Sequence, residues 1–186
     1  MDINEIEITN KELIGTYGTG YLTKKVYKIT LNNGKTYLSE QILKKGGNGN
    51  AVVIIGLADK SVILVRELRP NIGTLVTEFP AGMIENNEEP VKTAKRELEE
   101  ETGYTSDDIS LVEWHYQDQG CSKAKIYTFL ARNCYKNCEQ KLDDDEVLKP
   151  LIVPLEKLDV MFLEDVFKDA NSKIAYFTLK RNLSLK

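Results

Sequence analysis

Hydrophobic and polar positions alternate from Tyr27 to Leu31, where Tyr27, Ile29 and Leu31 interleave with Lys28 and Thr30. That period of two is the spacing of a half-buried strand. Asn32-Asn33-Gly34 supplies the positive φ angles of a tight turn and 35–42 returns, so the segment reads as a hairpin and residues 1–44 as β-rich. Denser apolar runs at 51–57, 61–65 and 75–79 read as buried strands. A helical period begins at Pro90, a residue favoured in a first helical turn, and stops at Gly103, a good left-handed terminator. Further strands are expected at 111–116, 125–131 and 151–153, and helices near 155–168 and 172–181. The elements mix without βαβ alternation, so the expected class is α+β: a mixed sheet with helices packed on it and a small N-terminal antiparallel β arm. Gly46-Gly47-Asn48-Gly49-Asn50 marks the boundary, giving an arm over 1–45 and a main domain over 46–186.

Within the 90–102 helix, Val91, Ala94 and Leu98 share one stripe, the expected core-facing side. Glu97, Glu100 and Glu101 gather on the adjacent face, where like charges three and four apart repel by a few tenths of a kcal/mol per pair. They also occupy the last turn, where the helix dipole disfavours each acid by roughly 0.3–1 kcal/mol. Only Lys95 and Arg96 stand near to offset them. Such a face gains from a hard divalent cation, Mg²⁺ or Mn²⁺, with phosphate and water filling the remaining positions. The alternative is a solvated acidic surface.

Composition narrows the classes. The 186 residues are 41% hydrophobic and 29% charged with a net charge of −4, which describes one globular domain and argues against disorder and against a chain built to grip nucleic acid. The apolar runs are far short of the roughly 20 residues of a membrane span. A single histidine, His115, excludes histidine-rich zinc sites and is expected to pack or lie at the surface. Cys121, Cys134 and Cys138 are odd in number, and Cys134 with Cys138 falls short of the four ligands of a structural zinc site. The opening Met1-Asp2-Ile3-Asn4-Glu5 lacks a basic and apolar leader, so a cytoplasmic location is expected.

Gly82, five residues, Glu88, seven residues and then Arg96-Glu97-Leu98-Glu99-Glu100-Glu101-Thr102-Gly103-Tyr104 form a complete Nudix box. The chain resembles the Nudix hydrolase superfamily. Arg66-Glu67-Leu68-Arg69-Pro70 and Glu78-Phe79-Pro80-Ala81-Gly82 resemble segments preceding the box in its ADP-ribose pyrophosphatase branch, and Asp145-Glu146-Val147 resembles that branch's late acidic loop. The resemblance implies Mg²⁺-dependent (or Mn²⁺-dependent) hydrolysis of ADP-ribose or a related nucleoside diphosphate sugar. It implies Glu97, Glu100, Glu101 and the Ala81 carbonyl as metal ligands, Arg96 as their orienting partner, and Glu146 or a box glutamate as base. Gly82, Glu88 and Gly103 then serve structure. Arg66, Arg69, Glu78 and Gln119 are candidates for substrate contact, the arginines reading equally well as strand-end ion pairs. Tyr17, Tyr21, Tyr27 and Tyr37 could offer a base-stacking surface in an arm that joins a homodimer interface in relatives. Gln119-Gly120 stands where this branch usually carries Pro-Gly, which keeps another sugar nucleotide such as GDP-mannose open as substrate. A non-catalytic ADP-ribose sensor is the alternative from a different class, disfavoured because every box carboxylate is present.

Overall fold

The computed structural model describes residues 3–44, 49–144 and 146–184. The Gly46–Asn48 part of the expected boundary and Asp145 of the acidic loop lie outside the described residues. The chain divides into two compact units, one formed by Met1–Asn50 with Tyr116–Lys125, the other by Ala51–His115 with Ile126–Lys186.

The first unit is an antiparallel sheet of β1 (Ile8–Tyr17), β2 (Leu22–Leu31) and β3 (Thr36–Lys44) in that order. Its turn differs from expectation in one respect: Gly34 alone of Asn32-Asn33-Gly34 takes a positive φ, 83°. A type I turn closed by a left-handed glycine needs only that. The loop 116–125 joins this sheet, the Ile42 N–H donating to the Cys121 carbonyl over 2.7 Å.

The second unit is built on β4 (Ala51–Ala58), β5 (Ser61–Arg69), β6 (Thr74–Glu78), β7 (Ala81–Met83), α1 (Pro90–Thr102), β8 (Tyr104–Thr105), β9 (Asp108–Tyr116), β10 (Lys125–Arg132), β11 (Tyr135–Lys136), β12 (Leu148–Pro154), α2 (Leu155–Leu163) and α3 (Ala170–Ser184). The main sheet runs β12-β5-β4-β10-β9, with β6 on β5 and β7 on β4, and β10 pairs β4 in parallel while β5 pairs it antiparallel. The mixed α+β class is as expected. Alternation along the strands gives the sheet two apolar faces. Val53, Ile55, Val62 and Leu64 pack with Leu158, Phe167, Ala175 and Leu179 of the α2–α3 side, and Val52, Ile54 and Ile63 pack with Ala94 and Leu98 of α1. The sheet is therefore sandwiched between helices.

α2 is shorter than the expected 155–168. It stops at Leu163 because Asp165 turns left-handed (φ 54°), its carboxylate taking Lys168 and Lys173 as partners. α1 ends at Gly103 with φ 72°, and a Cβ there would overlap the Cys138 carbonyl. Gly103→Ala is accordingly expected to cost about 2 kcal/mol or more, since the left-handed penalty adds to a backbone clash. Urea unfolding checks it; a change within about 0.5 kcal/mol, the range of an ordinary surface substitution, would refute the argument.

Candidate active site

α1 carries the densest chemistry, and the stripe it buries is not the expected one. Thr93, Ala94, Glu97, Leu98, Glu101 and Thr102 are inside, whereas Val91 is 41% exposed. Ala94, Glu97, Leu98 and Glu101 also fall at helical spacing, so two acids expected beside the core form part of the buried face. Glu101 is 2% exposed and Glu97 7%, while the Glu100 side chain keeps 37%.

Arg96 holds this face together. Its Nε and Nη2 donate to the two oxygens of Glu88 over 3.1 and 3.0 Å, and Nη2 also donates to the Met83 carbonyl over 3.3 Å. Its Nη1 donates to Glu97 Oε1 over 2.8 Å and Glu100 Oε2 over 2.9 Å. The planar guanidinium makes five hydrogen bonds to three carboxylates and a carbonyl, more than the three donors of an ammonium allow. The hydrogen bonds from Arg96 hold Glu88 down at about 2. Glu88 also accepts the Glu85 N–H, tying the loop to the helix.

Glu97 and Glu101 are held against their charge. Burial pushes Glu97 up to about 7 despite Arg96. Burial, with the charges of Glu97 and Glu146 added, pushes Glu101 well above the ordinary carboxylate range, against the Ala81 N–H that donates to Glu101 Oε2 over 3.2 Å. Between pH 4.5 and about 7 the folded chain keeps a proton on Glu97 that the unfolded chain has released. Stability from this group therefore falls as pH rises through that window. We expect the melting temperature of chelator-treated protein to decline across it, and a flat or rising profile would contradict the burial argument.

The loop between β11 and β12 closes the end of α1. The Gly103 N–H donates to the Glu99 carbonyl, the Lys141 N–H to Glu100 O over 2.9 Å, Gln140 Nε2 to Glu101 O and Lys136 Nζ to Thr102 O over 3.3 Å. All four terminal carbonyls are satisfied, the first by the Gly103 cap and the other three by residues 136–141, which no local sequence pattern announces.

Glu67 adds a carboxylate that the sequence reading passed over. It alternates in phase with Ile63, on the α1 face of the sheet, and burial raises its pKa. Arg69 bridges Glu67 (2.8 Å) and Glu78 (2.5 Å), so the structure places Arg69 and Glu78 in an ion-paired cluster whose charges reach Glu101. Glu146 accepts the Asp143 N–H over 3.1 Å, and its charge is felt at Glu67, Glu97 and Glu101. Arg66 is not brought to them. It shares the face of Val62 and Leu64, bonds Thr77 over 3.4 Å and lines a cleft of about 350 Å³ with Leu75, Val147 and Leu151. Gln119 lies in the first unit, beside Lys11, Ser39 and Gln41 around a cavity of about 150 Å³. In that unit Tyr17, Tyr21 and Tyr37 are about half exposed, and Tyr27 lies under Lys11 Nζ at 4.3 Å.

The other chemical candidates are structural. His115 Nε2 sits 3.2 Å from Asn171 Oδ1. All three cysteines are free thiols, and burial pushes Cys134 up to about 11, away from thiolate chemistry.

Among the described residues no group of three His, Cys, Asp or Glu side chains is already arranged to hold a metal ion. The donor chemistry nevertheless fits a hard divalent cation. Glu97, Glu100 and Glu101 offer only oxygen, and each keeps one oxygen outside the hydrogen bonds described. Two of them are buried at a cost that a cation would offset, and a Cβ at Gly82 would fill the space the Glu97 carboxylate occupies.

The model of the NUDIX domain matches residues 47–176. The chain is 35% identical over 153 residues to an ADP-ribose pyrophosphatase of Bacillus subtilis (strain 168), covering 81% of this chain and 80% of that one. It is 28% identical over 167 residues to a GDP-mannose pyrophosphatase of Salmonella arizonae, covering 84% and 85%. A crystal structure of an ADP compounds hydrolase shares the fold with a TM-score of 0.81 at 24% identity, covering 99% of this chain and 97% of that one.

Proposed function

The chain belongs to the NUDIX domain family, and on that premise we propose that it hydrolyses the pyrophosphate bond of ADP-ribose or a closely related nucleoside diphosphate sugar, with Mg²⁺ or Mn²⁺, releasing a nucleoside monophosphate and a sugar phosphate. The observation that carries this reading is the pair of buried, like-charged glutamates, Glu97 and Glu101, beside an arginine clasp, at a cost that structure alone does not require. The Bacillus relative supports ADP-ribose as the first substrate to test.

Glu97, Glu100 and Glu101 would hold the cation, which when bound screens the pyrophosphate charge and makes the attacking water more acidic. Arg96 fixes the carboxylates so that they need not reorganise during reaction. Arg69 lies on the same sheet face, its guanidinium taken up by Glu67 and Glu78. Glu146 or a box glutamate accepts the water's proton. Glu146→Gln tests the first: a loss of turnover below about tenfold removes Glu146 as the base.

The deciding experiment is incubation with ADP-ribose with and without Mg²⁺, following AMP by chromatography. Metal-dependent AMP is expected, and no AMP would turn attention to GDP-mannose with GMP as readout. That second reading is favoured by Gln119 in place of proline and by the Salmonella relative. We also read the chain as a cytoplasmic homodimer joined through the three-stranded unit, supported by the half-exposed Leu13, Ile14 and Tyr17 on β1 and by three unpaired thiols. Sedimentation at micromolar concentration tests the dimer, and a monomer would refute it.

A further inference from the structure

We propose that Ser172, at the start of α3, is a positioning residue of the hydrolytic site, its buried hydroxyl holding the Phe79–Ala81 turn so that the Ala81 backbone faces Glu101. The inference rests on the reading of Glu101 as a cation ligand. The turn performs two tasks: before it, Glu78 pairs with Arg69, and after it the Ala81 N–H donates to Glu101 Oε2 over 3.2 Å. Pro80 between them has no N–H to give, and its carbonyl accepts the Ile54 N–H over 2.8 Å. The Phe79 N–H lies just past the end of β6 and donates to Ser172 Oγ over 3.3 Å, 93 residues away in sequence. Ser172 is 1% exposed, and its own N–H donates to Asp169 Oδ1 over 2.7 Å, which seats the hydroxyl on the first turn of α3. The Phe79 ring stacks on Phe167, centroids 5.7 Å apart, so the same C-terminal segment grips both side chain and backbone of this residue. Ser172 lies on the sheet face opposite α1 and acts on Glu101 only through the backbone of residues 79–81.

A purely structural hydroxyl would satisfy a buried donor and do no more. Ser106 is a matched control: it is 1% exposed, accepts the Asp108 N–H over 3.0 Å, donates to the Arg132 carbonyl, and touches none of the box carboxylates. Ser172→Ala and Ser106→Ala are both expected to lower the melting temperature. Only Ser172→Ala should raise the Mg²⁺ concentration that half-maximally stabilises the substrate-free protein, by roughly tenfold, the factor carried by about 1.4 kcal/mol. Its kcat for ADP-ribose should fall by a similar factor with KM within about twofold, since the displaced group serves reaction more than binding. Ser172→Thr, which keeps the hydroxyl, should restore the Mg²⁺ midpoint. A Ser172→Ala midpoint equal to wild type, with melting lowered as in Ser106→Ala, overturns the proposal. If Ser172→Ala does not fold, Ser172→Cys takes its place, and a wild-type midpoint there overturns it equally. A wild-type protein that Mg²⁺ does not stabilise overturns the cation reading itself and this inference with it, an outcome visible before any variant is made.

Discussion

Glu101→Gln should sharply lower turnover and stabilise the metal-free protein at the same time. Glu101 is 2% exposed and lies in the field of Glu97 and Glu146, so its charged form is disfavoured first by burial and then by repulsion. A glutamine of the same shape removes that charge and still accepts the Ala81 N–H now received by Oε2. At pH 8 the chelator-treated variant should therefore melt higher than wild type, because the wild-type chain must carry or neutralise a buried charge that the variant lacks. Activity should move the other way. An amide is a poor ligand for a hard cation, and losing one of three anionic donors should lower kcat by about 10³-fold, some 4 kcal/mol of transition-state stabilisation. The opposite signs make the test strict. A lower melting temperature accompanying lower activity would make Glu101 a structural residue, and turnover within about tenfold of wild type would place the chemistry elsewhere.

What could be read from the chain, and what could not, follows from where the information resides. α1 was bounded correctly by Pro90 and Gly103, because initiation and the left-handed stop are local backbone requirements. Which stripe of α1 faces inward was not local. Val91 and Glu97 both sit at helical spacing from Ala94, and the choice is made by Arg96, whose partner Glu88 is eight residues away, and by a glycine on β7 that leaves room for Glu97. The three residues of β7 are too few to show a period. β1 is exposed along nearly all its length, so no alternation of burial marks it out. Glu67 could have been found by extending the alternation of Ile63 two steps along β5, and the same count would have sent Arg66 to the opposite face. Ser172 and the 136–141 loop could not have been found this way, since hydrogen bonds spanning 34 to 93 residues leave no mark on local periodicity.

Gly82→Ala should disable the site by steric means alone, and its effect should vanish when Glu97 is shortened. Gly82 is not among the glycines with positive φ, so its backbone conformation is open to any residue. What it lacks is space: a Cβ would overlap the Glu97 carboxylate, which Arg96 pins through a 2.8 Å hydrogen bond in a residue only 7% exposed. Strand pairing of Gly82 with Val52 prevents the backbone from backing away. The methyl must therefore displace Glu97, pulling Arg96 from its shared position between Glu97 and Glu100. We expect a loss of about 1–3 kcal/mol in stability, the usual cost of overpacking. The accompanying fall in kcat should be about 10² or more, because carboxylates displaced by even 1 Å lose their geometry toward a cation. In a Glu97→Ala background the overlap is gone, so adding Gly82→Ala should leave stability unchanged or raise it slightly by restricting the unfolded chain. The coupling energy between the two substitutions should then equal nearly the whole cost of Gly82→Ala alone. If instead the costs add, the glycine is serving the backbone, and the space beside Glu97 is not what position 82 requires.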